Sequence, residues 1–197
     1  VNLLENKVVL IKTKDTETRV TGFENITEAE NLALAGEDVP VGQYAREIFT
    51  NLDIMDQVEA MEINEGKNVT EVLAAVTQGS NEVGVVYATD AASVADQVEI
   101  IAEASSDMLE TPVLYPVGMI EDEEALPEEK VAAETFFEYL QTENALKVFE
   151  EHGFSPYTAE VEENDTEEAE DTQADQKTDS EAEETGEAST EQEKTAE

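Results

Sequence analysis

From residue 7 to residue 153 the chain alternates short, β-branched apolar runs with stretches whose apolar residues recur every three or four positions. That alternation restricts it to an α/β architecture. Residues 7–11 (KVVLI) and 32–35 (LALA) are candidate buried strands, the second following a helical turn around residues 26–31. After Pro40, the spacing of Val41, Tyr44, Ala45, Ile48, Phe49 and Leu52 predicts an amphipathic helix, and Pro40 suits its first turn. Asn68 with Glu71 three residues on resembles a capping box. Val69, Val72, Leu73 and Val76 continue one apolar face from it to Gln78, with Gly79 as the stop. Residues 83–88, 98–102 and 113–120 read as further strands, and residues 128–152 as one long or broken helix ended by Gly153. The order predicts a mainly parallel sheet. No internal repeat is visible.

Composition divides the chain in two. Residues 158–197 are Glu, Thr, Ala, Asp and Gln with no aromatic residue, 17 acids against 2 bases. Such a segment buries too little apolar area to offset its ordering entropy, so it is expected to be a disordered acidic tail. The preceding part, with 33 acids against 8 bases, is acidic too, within a total formal charge of −40. Nucleic acid is therefore excluded as a partner, since phosphate binding needs clustered Lys and Arg, and an anionic membrane surface is disfavoured for the same reason. Self-repulsion on this scale is relieved by salt, which shortens the Debye length to about 3 Å near 1 M, so a saline medium is expected. No run approaches the roughly 18 apolar residues of a membrane span. Residues 1–7 lack the features of a secretory leader, and with no Met at position 1 the chain reads as a fragment. Zero cysteines excludes disulfides, thiolate metal sites and Cys nucleophiles.

Enzyme chemistry finds little support. His152 is the one histidine and adjoins Gly153 at a predicted helix end, where a cation suits the helix dipole. The acids Glu121, Asp122, Glu123 and Glu124 read as a solvated loop with no EF-hand spacing, and no glycine set forms a nucleotide-binding loop.

Several segments, taken in order, resemble the periplasmic molybdate-binding proteins of ABC importers. Residues 39–45 (VPVGQYA) look like that family's VPAG-x-YA, and the helix to Leu52 is similar to its AKEAL-x-x-LG. Asn68-Val69-Thr70 stands where the family starts a helix with (D/N)VR. Residues 84–91 (GVVYATDA) are close to G-x-VY-x-(S/T)DA, and Tyr115-Pro116-Val117, Phe137 to Leu140 and Gly153-Phe154 are similar to its closing motifs.

The resemblance implies a type II periplasmic-binding-protein-like lobe that holds molybdate or tungstate, with no cofactor and no chemical step. Residues 1–115 would form the second, anion-binding lobe, and residues 116–157 would return to a first lobe that has no counterpart before Val1. In that arrangement Phe136, Phe137, Leu140 and Phe149 present an apolar face. By resemblance, Val41 and Val69 donate backbone N–H groups to the oxyanion and Tyr87 its hydroxyl, and molybdenum is met only as that oxyanion. Physics supports such residue types, since free N–H groups and the macrodipole converge at helix N-termini. Where the family has alanine this chain has Val41, which sets a branched side chain beside the anion or the facing lobe. The implied partners are a membrane permease and its ATPase, and the implied location is extracytoplasmic, periplasm or cell surface, with anchoring by a lipid ahead of Val1 left open. Within the same fold, sulfate or phosphate is an alternative anion. In a different class stands a degenerate α/β interaction module working through its acidic tail.

Overall fold

The computed structural model describes residues 1–158; the acidic tail lies, but for Thr158, outside the described residues. Among the described residues, eight strands and six α-helices follow one another as β1 (Asn2–Asn6), β2 (Val8–Thr13), β3 (Asn31–Ala35), α1 (Pro40–Asn51), α2 (Met55–Glu59), β4 (Glu62–Gly66), α3 (Val69–Thr77), β5 (Val83–Tyr87), α4 (Ala88–Ser93), β6 (Val98–Glu103), β7 (Val113–Pro116), α5 (Pro127–Leu140), α6 (Glu143–Glu151) and β8 (Ser155–Pro156). The helical turn ahead of β3 is a short 3-10 stretch, Phe23–Glu28.

Five strands form the main sheet in the order β4-β3-β5-β2-β6. The strand β3 pairs in parallel with both β4 and β5, because α1 with α2 and then α3 carry the chain back across the sheet between them. On its other side β2 pairs antiparallel with β5 and with β6. The mainly parallel sheet expected above is thus corrected to a mixed one. Its antiparallel half arises because β2 enters directly from β1, with only Lys7 between them, and not through a crossover helix.

Successive residues of β2 and β3 serve opposite faces. Leu10, Leu32 and Leu34 pack with Ala45, Ile48 and Phe49 of α1, while Ile11, Ala33 and Ala35 pack with Val72 and Val76 of α3. Both faces are covered, which is why these strands read as unbroken apolar runs without alternation. A second sheet, β7-β1-β8, is antiparallel throughout, with Leu4 opposite both Tyr115 and Pro156. The chain therefore passes from the small sheet to the large one at Asn6–Lys7.

Three element boundaries differ from expectation or sharpen it. The strand expected over 113–120 is shorter, Val113–Pro116, with Val117 still exchanging backbone hydrogen bonds with Val1 at 2.8 and 2.9 Å. The final helical stretch breaks at Gln141–Thr142, where the Thr142 hydroxyl accepts from the Ala145 N–H and starts α6 afresh. Gly79 and Gly153 end α3 and α6 with φ of 71° and 90°, the left-handed turn that glycine takes freely. Among the described residues, no helix is long and apolar enough to cross a membrane.

Candidate functional site

The first turn of α1 is built without a cap. Val39, the residue before it, is extended and has no side-chain acceptor, and Pro40 has no N–H to satisfy. The first amide to close is that of Gln43, on the Val39 carbonyl at 3.1 Å. The N–H groups of Val41 and Gly42 are left with no acceptor among the described residues. This turn is pressed against the end of β3, since a Cβ at Gly42 would collide with the carbonyls of Ala35 and Gly36. One turn later Arg46 Nη1 donates to the Ala35 and Gly42 carbonyls at 2.8 and 2.9 Å, clamping helix to strand.

The start of α3 is capped at one donor only. Asn68 Oδ1 accepts from the Glu71 N–H at 2.9 Å, and the Glu71 carboxylate accepts from the Lys67 N–H at 2.9 Å. The capping box read from Asn68 and Glu71 is thus present, with its return bond placed one residue earlier. The N–H groups of Val69 and Thr70 have no acceptor among the described residues.

Tyr87 ends β5, and the following Ala88 N–H donates to the Lys7 carbonyl at 2.8 Å, tying that turn to β2. Its ring is half-buried, and its hydroxyl makes no hydrogen bond to another described residue. Burial first, then the neighbouring Tyr115 and Tyr44 phenols and the Asp90 carboxylate, push its pKa upward. The hydroxyl therefore keeps its proton and remains a neutral donor. Burial likewise raises the Asp90 pKa, against the opposing pull of the Tyr87 backbone N–H.

One open cleft of about 410 Å³ collects these features. Val41, Val69 and Tyr87 all line it, together with Val39, Tyr44, Asn68 and the β7 residues Val113, Leu114 and Tyr115. In a chain of which 30 % is charged, no charged side chain among the described residues lines this cleft. Val41 as a whole residue is 1 % exposed, and its side chain packs in the core with Val72 and Val76 of α3 and Val9 and Ile11 of β2, so its branching is taken up by the interior. The cleft thus borders two helix starts with open main-chain donors and a phenol, group types that can bind a small oxyanion.

Tyr44 and Tyr115 also line the cleft and were not assigned to it from the sequence. Tyr44 was available, lying one turn after Val41 on the same helix face. Tyr115 was not, since only the pairing of β7 with β1 carries it here. His152 is the exposed C-terminal cap of α6, and Glu121 to Glu124 are exposed in the connection before α5.

The chain belongs to the family of bacterial extracellular solute-binding proteins, whose model matches residues 1–155. It is 41 % identical over 154 residues to the Bacillus subtilis (strain 168) lipoprotein YvgL, named provisionally for substrate binding in an ABC transporter, covering 78 % of this chain and 56 % of that protein. It is 36 % identical over 117 residues to the molybdate-binding protein ModA of Haemophilus influenzae, covering 59 % of this chain and 43 % of that one. The substrate-binding domain of a provisionally assigned molybdenum ABC transporter from Clostridium difficile superposes with a TM-score of 0.70 at 31 % identity, covering 80 % of this chain and 66 % of that domain. The fold is thus the mixed α/β fold of periplasmic binding proteins. The chain spans about half the length of the curated relatives it matches.

Proposed function

We propose that this member of the extracellular solute-binding family supplies the oxyanion-binding side of a molybdate or tungstate carrier. The carrier delivers its cargo, without any chemical step, to a membrane permease driven by an ATPase. In this reading the Val41 and Val69 N–H groups, with those of Gly42 and Thr70 behind them, and the Tyr87 hydroxyl are the donors. Residues 1–115 act as the binding lobe and residues 116–157 as a segment returning toward the remaining part of the carrier. The location is extracytoplasmic, and the lipoprotein relative favours a lipid anchor.

The observation that carries this proposal is the conjunction of two incompletely capped helix starts and a protonated phenol around one cleft that no charged side chain lines. A doubly charged tetrahedral anion is held there by dipoles alone, so no fixed cation has to be desolvated. The surrounding acidic surface opposes the anion's approach, and added salt therefore strengthens binding slightly where a site built on Lys or Arg would be weakened.

Amide spectra of the 197-residue chain titrated with millimolar molybdate test it, with sulfate as the competitor. The expected result is a saturable shift of the Val41, Gly42, Val69 and Thr70 amides. Replacing Tyr87 by Phe is expected to weaken binding by about 1.5–3 kcal/mol, one hydrogen bond to a charged ligand, without unfolding the chain. Unmoved amides at those four positions overturn the proposal, and an unchanged affinity in the Tyr87→Phe chain removes Tyr87 from the site.

A further inference from the structure

Asn6 is a buried polar side chain that the donor set above does not use. It is 2 % exposed and stands at the passage from the small sheet to the large one. Its Oδ1 accepts from the Lys7 N–H at 2.9 Å. A main-chain donor can face only the carbonyl oxygen of an amide, so this bond fixes which end of Asn6 points where. Nδ2 is consequently turned toward two hydroxyls, Thr89 Oγ1 at 3.0 Å and Tyr115 Oη at 3.5 Å.

An amide nitrogen of this kind can only donate. Each hydroxyl it meets is held as an acceptor and must send its own proton elsewhere. Tyr115 lines the cleft, so the cleft is one direction open to that proton. The ring is steadied from the other side by Phe154, edge-on at 5.1 Å between centroids and 74° between planes, and Phe154 is backed in turn by Phe149 of α6. Its phenol is near enough to that of Tyr87 to help raise the Tyr87 pKa. The two phenols come from different sheets, Tyr87 from β5 and Tyr115 from β7, and the single Asn6 amide meets Tyr115 itself and Thr89 of α4, two residues after Tyr87.

We infer that Tyr115 is a second phenol donor to the bound oxyanion and that Asn6 is its positioning residue, setting the polarity of the Tyr115 hydroxyl; this rests on the oxyanion reading of the cleft. Asn6→Asp separates polarity from shape. The carboxylate keeps the space and the Lys7 contact but accepts where the amide donated, so the Tyr115 proton turns inward and is lost to the ligand.

Calorimetric titration of the 197-residue chain and its variants with molybdate tests the pair. Tyr115→Phe, at a residue 40 % exposed, retains the fold and is expected to weaken binding about tenfold. Asn6→Asp is expected to cost at least as much in the parent chain and clearly less once Tyr115 is already Phe, since its target is then gone. Unchanged affinity in Tyr115→Phe overturns the donor role. Losses that multiply in the double variant overturn the positioning role and leave Asn6 a structural residue. A parent chain that binds no molybdate overturns the oxyanion reading itself, and this inference with it.

Discussion

The helices α1 and α5 begin alike and end in different employment. Each starts with proline after an aliphatic residue, Val39-Pro40 and Leu126-Pro127. The first turn of α5 carries Glu128 and Glu129, and the Glu129 carboxylate closes the Leu126 N–H at 2.9 Å. That turn is electrostatically finished by its own acids. The first turn of α1 carries no acid and no cap, in a chain with 50 acidic residues to draw upon. Burial differs as sharply. Five residues of α1 are buried, Val41, Gly42, Ala45, Ile48 and Phe49, whereas α5 buries none and leaves Val131, Phe136 and Tyr139 more than half exposed. Proline at the first position starts a helix in both cases. Which residues surround it decides whether the first turn is closed locally or left open.

The largest expected effect sets the two helices' aromatic residues against each other. Phe49→Ala empties a fully buried site beside Phe23 and is expected to cost about 3–5 kcal/mol in denaturant unfolding. Phe136→Ala, at 61 % exposed, is expected to cost no more than about 0.5 kcal/mol. Comparable losses at the two positions would break the comparison.

Next comes a change that gives α1 the finished start of α5. Val39→Asp places a carboxylate where it caps the free amides of the first turn, so molybdate is expected to bind about a hundredfold more weakly, as two charge-assisted bonds are forfeited. Calorimetry checks this, and an affinity within a factor of two of the parent would show that these amides do not serve the ligand.

The smallest effect concerns pH. Burial makes the folded chain hold the Tyr87 proton more tightly than the unfolded chain does, so the unfolded chain ionises first. The contribution to stability is complete below the free-phenol value of 10.0 and is lost as pH rises above it toward the folded value. Tyr87→Phe is expected to flatten that alkaline decline in chemical unfolding curves.

Much of this architecture was legible before any coordinates. β2, β3 and β5 announce themselves because both faces of their sheet are covered, and α1 and α3 because one face of each is. β4 was missed, since Glu62–Gly66 is a polar edge strand whose residues are largely exposed and whose conformation comes from pairing with β3. β1 was missed for a related reason, as Asn2–Asn6 becomes a strand through β7 and β8. For the cleft, helix-start logic together with the ordered motifs singled out Val41, Val69 and Tyr87, each locally encoded. Tyr115 is brought to it by the pairing of β7 with β1, which joins residues more than a hundred positions apart, and local pattern carries no trace of that.

The lining of the cleft has an optical consequence. The chain contains no tryptophan and five tyrosines, and Tyr44, Tyr87 and Tyr115 line this one cleft. Native ultraviolet emission therefore issues from phenols of which the majority border the proposed binding site, undiluted by any indole elsewhere. Occupancy of the cleft becomes a change in the protein's own light, readable without a label and separable, one phenylalanine substitution at a time, into the contribution of each ring.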